Sequence, residues 1–160
     1  MKNKTTLVTQ GAMISAIYIL LTMVARCFGL DSGAIQVRIS EALCILPCFT
    51  PSAIAGLFVG CLLSNILAGA VIWDVIFGTL ATLIGAVFTY KLRKNRFLAV
   101  IPPIAANTII VPFVLSYAYH LEGALWYFML TVGIGEIISC AILGLLLHSV
   151  LEKHSYIFTK

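Results

Sequence analysis

Long apolar runs separated by short polar segments restrict this chain to the folds that a lipid bilayer permits. Several runs approach 20 residues, the length that an α-helix needs to cross a hydrocarbon core of about 30 Å. Only 10% of the residues are charged, whereas soluble domains carry about a quarter. Because backbone polar groups in lipid must be satisfied within the protein, we expect an all-α membrane protein. One integral membrane domain would occupy residues 1–160.

The positions of lysine and arginine predict how often the chain crosses the membrane. The cationic groups near the termini and in one internal loop are Lys2, Lys4, Lys91–Arg96, Lys153 and Lys160. The positive-inside rule places all of them, and so both termini, in the cytoplasm. The number of crossings before the internal loop must then be even, yet only three obvious runs precede it. The missing crossing can only lie at 37–49, ahead of Pro47 and Pro51.

We therefore predict a six-helix bundle in which the second helix is short. A helix of ten to thirteen residues covers only about 15–20 Å, so this crossing needs tilt, a thinned bilayer or shielding by other helices. The predicted spans are 8–28, 37–49, 52–69, 71–90, 97–117 and 124–147.

Polar side chains inside the spans are costly and are therefore candidates for a binding site. In the predicted topology they come from five helices, and together they predict a solute pocket that opens to the outside. Glu136 lies close to mid-bilayer, where a carboxylate must be partnered or protonated. The candidate substrate-binding residues are Arg38, Glu41, Asn65, Trp73, Asp74, Asn107 and Glu136.

Structural interpretations compete with this prediction. Arg38 and Glu41 have the spacing of an intrahelical ion pair. Asp74 is placed to cap a helix N-terminus, and Asn65 and Asn107 could bond neighbouring helices. The residues alone leave these alternatives open.

Small residues at four-residue spacing predict close helix packing. On the first helix they are Gly11 and Ser15, overlapped by Ala12 and Ala16, and on the third they are Gly56 and Gly60. The pattern does not say which helix packs against which. The five cysteines fall mostly in apolar runs, so we interpret them as core residues and expect neither disulfides nor a zinc site.

The chain carries no sequence motif of an enzyme or an ATPase. It lacks a phosphate-binding loop, an HExxH motif and a nucleophile elbow. We therefore predict neither an enzyme nor a cofactor. Accumulating a solute would require an external energy source, unless the chain is a stand-alone proton-coupled carrier with Glu136 as its proton site.

The segment QVRISEALCILPCFTPSAIAGLFVGCLLSNILAG, followed by DVIFGTLATLIGA, resembles the QueT family of queuosine-precursor transporters. The likeness extends through Asn107 in PPIAANTIIVPFVL and Glu136 in VGIGEIISCAILG. The family comprises substrate-binding (S) components of energy-coupling factor (ECF) transporters. The resemblance implies a six-helix subunit of the bacterial cell membrane that binds solute outside. It also implies partners: a transmembrane T component and two cytoplasmic ATPases, docked through Gly11, Ala12, Ser15 and Ala16.

The implied solute is a queuosine precursor, that is, queuine or a related 7-deazaguanine with a cationic arm. The residues fit such a ligand, because carboxylates accept its N–H edge, Arg and Asn donate to its carbonyl, and Trp73 or Trp126 could stack on its ring. We expect Glu136 or Glu41 to take the guanine-like edge and an outer carboxylate to take the arm. An S component for another vitamin or nucleobase-like solute is the alternative.

Overall fold

The computed structural model describes residues 4–30, 36–119 and 123–154, and within these ranges all regular secondary structure is helical. The α-helices are α1 (Lys4–Cys27), α2 (Ser52–Leu67), α3 (Ile72–Lys91), α4 (Arg96–Ala99), α5 (Ile101–Tyr117), α6 (Leu125–Glu136) and α7 (Gly144–Lys153). A 3₁₀ helix spans Ile39–Cys48, and a π-helical segment, Ile137–Leu143, joins α6 to α7. The prediction of an all-α membrane-type fold is confirmed.

Each of the six predicted spans coincides with a helical segment. Four segments are long and apolar enough to cross a membrane: Lys4–Cys27, Ile72–Lys91, Arg96–Tyr117 and Leu125–Lys153. Ile39–Cys48 and Ser52–Leu67 are shorter apolar helices. Large apolar side chains, such as Val8, Leu20 and Ile109, are exposed along the outside of the bundle, as lipid contact requires. The number of crossings and the location of the termini remain predictions.

The short second helix lies in the centre of the bundle. It packs against α1, α2, α3, α7 and the π-helical segment, and every residue from Ser40 to Pro47 is buried. It is a 3₁₀ helix and not an α-helix. Pro47 contributes to this difference, since proline lacks the N–H of an α-helical bond and clashes with the carbonyl four residues earlier. The 3₁₀ rise extends ten residues over about 20 Å, against about 15 Å for an α-helix.

The cationic loop Lys91–Arg96 lies at one end of the bundle, together with the N-terminal parts of α1 and α2 and the end of α7. We call this end the basic end. Arg96 Nη1 lies 3.5 Å from Glu152 Oε2, which joins α4 to α7. The Phe49 and His148 rings are 4.8 Å apart, and Thr50 donates to Gln10 Oε1 over 3.1 Å. Arg93 and Lys94 lie in the turn that follows α3. Three of the predicted site residues, Arg38, Asn65 and Asp74, lie toward the opposite end of the bundle.

The small residues of α1 and α2 pack against one another. A Cβ atom built on Gly56 would lie 2.6 Å from the Gly11 carbonyl oxygen, and one on Gly60 would lie 3.2 Å from Ser15 Cα. The two predicted small-residue patterns are therefore the two halves of one internal contact. Ser15 is buried in this contact, whereas Ala12 and Ala16 remain exposed.

Candidate solute-binding site

A polar cavity of about 430 Å³ opens at the end of the bundle opposite the basic end, which we call the cavity end. Five elements line it: α1, the entry to the 3₁₀ helix, the end of α2, the start of α3 and the end of α5. Its polar lining includes Tyr18, Thr22, Arg26, Gln36, Arg38, Ser40, Ser64, Asn65, Asp74 and Tyr119. Three predicted residues, Arg38, Asn65 and Asp74, are thus brought together on one cavity wall.

Asp74 presents one carboxylate oxygen with no partner among the described residues. It lies in the first turn of α3, is 7% exposed, and its Oδ1 makes no hydrogen bond within the described chain. Oδ2 accepts a hydrogen bond from Tyr119 Oη at 3.1 Å. Partial burial and the Asp74 carboxylate raise the pKa of Tyr119, so its hydroxyl stays protonated and donates. The result is a carboxylate held by Tyr119, whose second oxygen is buried and has no hydrogen-bond partner among the described residues.

Asn65 and Asp74 face the same glycine. A Cβ atom built on Gly78 would lie 3.1 Å from Asp74 Oδ1 and 3.4 Å from Asn65 Nδ2. Any larger residue at position 78 would therefore crowd both polar groups. Asn65 Nδ2 has only a weak contact with Cys61 Sγ, at 3.7 Å, which leaves its amide available to the cavity.

Arg38 lines the cavity and does not pair with Glu41. It lies in extended backbone just before the 3₁₀ helix and is partly buried. The ion pairs found within the described ranges are Arg96–Glu152 and His148–Glu152, and neither involves Arg38. The guanidinium nevertheless interacts electrostatically with Asp74, Glu41 and Glu136. The Arg38 guanidinium thus lines the cavity within electrostatic range of three carboxyl groups.

Glu41 and Glu136 form a buried carboxyl pair beneath the cavity. Glu41 is 0% exposed and Glu136 is 4% exposed. Tyr18 Oη donates to Glu41 Oε1 at 2.5 Å, Cys44 Sγ to Glu41 Oε2 at 2.9 Å, and Cys140 Sγ to Glu136 Oε2 at 3.3 Å. One carboxyl oxygen of Glu41, one of Glu136 and the Sγ atom of Cys140 lie within 4.8 Å of one another. Tyr18 also lines the cavity, so its hydroxyl lies between the cavity and the carboxyl pair.

Asn107 lies beside this pair with its amide unsatisfied. Its side chain is 1% exposed, and neither Nδ2 nor Oδ1 has a hydrogen-bond partner in the described chain. The amide interacts with Glu136 without the geometry of a hydrogen bond. Glu136 ends α6 where the backbone changes to the π-helical segment, a feature often found at functional sites.

Trp73 is not brought together with the other predicted residues. Its side chain is 55% exposed and stacks on Phe77, with ring centroids 6.1 Å apart, in an apolar groove on the outside of α3 and α5. Trp126 is 69% exposed. Position 73 is adjacent to Asp74 in sequence, but a helix turns about 100° per residue, so the two side chains point in different directions.

The sequence reasoning missed Tyr18 and Tyr119. Both hydroxyls hold a carboxylate of the predicted set, Tyr18 on Glu41 and Tyr119 on Asp74. A signal for Tyr18 was available, because its polar group lies deep within the apolar run of α1, where a buried hydroxyl needs a partner. Tyr119 lies just beyond α5, where a tyrosine fits the usual interfacial belt and gives no such signal.

Comparison with known proteins places this chain in a transporter family. The QueT transporter family profile matches residues 8–153. A relative, the queuosine precursor transporter QueT of Lactococcus lactis subsp. cremoris (strain MG1363), is 36% identical over 83 residues. This match covers 52% of this chain and 48% of the relative, so it spans about half of each. No solved structure matches the chain. Because the family profile covers nearly the whole chain, this protein belongs to the QueT transporter family.

Proposed function

We propose that this protein is the substrate-capture subunit of an ECF uptake transporter and binds a queuosine precursor at the cavity end. The observation that carries the proposal is the cavity itself, a set of partly or fully buried donors and acceptors gathered at one end of a largely apolar bundle. Membership of the QueT family supplies the class of solute. A cavity of about 430 Å³ is within the usual range for small-molecule sites.

A 7-deazaguanine fits the polar groups of this cavity. The Asp74 carboxylate and the Asn65 side-chain oxygen would accept hydrogen bonds from the guanine-like N–H edge, and Arg38 would donate to the ring carbonyl. The cationic arm would point to the floor, above Tyr18 and the Glu41–Glu136 pair. This differs from the roles expected from sequence, because the Glu41 carboxylate is already bonded to Tyr18 and Cys44.

Binding to the purified protein tests the proposal. A 7-deazaguanine with an aminomethyl arm should bind, as measured by isothermal titration calorimetry. Asp74→Asn should weaken binding about tenfold to a hundredfold, since a hydrogen bond to a charged group contributes about 1.5–3 kcal/mol. Glu152→Gln, a matched loss of one carboxylate at the basic end, should have no effect. Equal affinity in wild type and Asp74→Asn would remove Asp74 from the site.

The energising partners would dock on α1. Ala12 and Ala16 are exposed, and they border an open apolar groove with Gly11, Ser15 and Gly56 between α1 and α2. The backbones can approach closely at such small residues, as at helix contacts within membranes. Gly11 and Ser15 thus contribute to the α1–α2 contact, and Ala12 and Ala16 provide the free face. The proposed partners are a T component and two cytoplasmic ATPases.

Co-purification of this chain with the T component and ATPases tests the docking face. Ala16→Trp should abolish the complex but leave solute binding intact, because the cavity lies elsewhere on the bundle. Ala105→Trp, the same change at an exposed position on α5, should preserve the complex. A complex that survives both Ala12→Trp and Ala16→Trp would contradict docking through this face. Solute uptake by vesicles containing this chain alone would instead indicate a stand-alone carrier.

A further inference from the structure

If both carboxyl groups were ionised, the Glu41–Glu136 pair would carry more negative charge than its buried surroundings neutralise. The two side chains reach each other from the 3₁₀ helix and the end of α6, with one carboxyl oxygen of each within 4.8 Å of the other. Charges of one sign interact strongly at this separation in a medium of low dielectric constant, so two buried carboxylates rarely ionise together. The structure therefore calls for one positive charge at the pair.

The groups that surround the pair do not supply that charge through a direct contact. Its hydrogen-bond donors, Tyr18, Cys44 and Cys140, are all neutral. Arg38 is a cation within electrostatic range, but it is shared with Asp74 and forms no ion pair with the described carboxylates. The charged and titratable groups around the pair come from five elements. Tyr18 on α1, Arg38 and Cys44 before and within the 3₁₀ helix, Cys61 on α2 and Cys140 in the π-helical segment interact with the pair. Arg26 on α1 and Asp74 on α3 line the cavity above it.

The buried Asn107 amide has no hydrogen-bond partner within the described chain, which indicates that its contact with Glu136 changes with the protonation state of the carboxyl pair. A buried amide without partners costs free energy, so native structures rarely keep one without a functional reason. Asn107 Nδ2 can donate to an ionised Glu136, whereas its Oδ1 can accept from a protonated one. The amide can therefore serve either protonation state.

We propose that the Glu41–Glu136 pair holds one proton while the cavity is empty and releases it when a cationic solute binds. The solute would enter the cavity above Tyr18, whose hydroxyl is bonded to Glu41. Its positive charge would replace the proton, and the proton would leave through the cavity to outside water. Charge balances, because the pair changes from one negative charge to two as one cation arrives. The chemistry of the solute rests on the proposed function, but the shared proton does not.

Calorimetry in buffers of different ionisation enthalpy tests the exchange. Binding of an aminomethyl-7-deazaguanine should release about one proton, and its affinity should rise with pH, by up to tenfold per pH unit, while the amine stays protonated. The matched hydroxymethyl compound is neutral and should release none. Glu136→Gln and Glu41→Gln should each abolish release, whereas Glu152→Gln should retain it. Binding of the cationic compound without proton release, at a pH-independent affinity, would overturn the proposal.

Infrared spectroscopy of the empty protein tests the shared proton without any solute. A protonated-carboxyl band should be present near neutral pH and should be altered in both Glu41→Gln and Glu136→Gln. If neither 7-deazaguanine binds, the proposed function fails. The infrared band would still show whether the carboxyl pair holds a proton in the empty protein. Absence of the band from the wild type would overturn it. So would a stoichiometric metal ion in the purified protein, since the ion would then supply the positive charge.

Discussion

Tyr18 is the residue that connects the cavity to the buried carboxyl pair. Its ring is 2% exposed, its hydroxyl donates to Glu41 at 2.5 Å, and its Cβ lies against Gly60 of α2. Glu41 is completely buried, so each of its oxygens needs a donor, and Tyr18 and Cys44 provide one each. The position of Tyr18 thus determines both the floor of the cavity and the orientation of Glu41.

Tyr18→Phe should lower the free energy of unfolding in detergent by about 1–2 kcal/mol. The substitution keeps the ring and removes one donor from a buried carboxyl group, and polar contacts inside membrane proteins have modest net effects. Tyr117→Phe is the matched control, since Tyr117 is 72% exposed and should tolerate the change. Denaturant titration of both variants measures the effect. Equal stability of Tyr18→Phe and wild type would mean that the Tyr18–Glu41 bond contributes nothing.

The candidate residues could be predicted from sequence because polar groups stand out in apolar runs, but their contacts could not. Arg38 and Glu41 have ion-pair spacing, yet Glu41 bonds to Tyr18, 23 residues earlier. Trp73 adjoins Asp74, yet its side chain points out of the bundle. Spacing along one helix decides only local contacts, whereas these partners depend on how α1, α3 and the 3₁₀ helix pack.

At the scale of elements, the α1–α2 contact depends on glycine at position 56. A Cβ atom there would meet the Gly11 carbonyl oxygen at 2.6 Å and Ile14 Cβ at 3.0 Å. Backbone atoms cannot move aside as the end of a flexible side chain can. The two helices would therefore have to separate, which would disturb the groove proposed as the docking face.

Gly56→Ala should destabilise the protein by about 1–3 kcal/mol, the usual cost of overpacking. Gly133→Ala is the control within α6, because its nearest neighbour, Thr108 Cγ2, would lie at 3.4 Å, an ordinary contact. Thermal unfolding in detergent should separate the two variants. A Gly56→Ala protein as stable as Gly133→Ala would show that α1 and α2 adjust at little cost.

The central 3₁₀ helix illustrates what charge counting can and cannot predict. Counting crossings placed a short helix at 37–49, and the structure has Ile39–Cys48 there. The counting did not predict that this element is buried on all sides or that it is a 3₁₀ helix. A helix surrounded by others has no lipid-facing stripe, so its sequence carries no periodic signal of its environment. Shielding by neighbouring helices therefore explains how so short an element fits within the bundle.

At the scale of the whole molecule, the basic end and the cavity end occupy opposite ends of the bundle, and this separation predicts an orientation. Under the positive-inside rule the basic end faces the cytoplasm and the cavity opens outside.

Exposed Cys27, at the end of α1, should then react in intact cells with a membrane-impermeant maleimide. In a Cys27→Ser background, Lys94→Cys should react only after permeabilisation, because Lys94 lies in the turn after α3. Cys44, Cys61 and Cys140 are buried and should stay unlabelled until the protein is denatured, which provides an internal control. The reverse pattern would place the cavity in the cytoplasm and contradict capture from outside. Labelling of both sites from one side would contradict the opposed ends of the bundle.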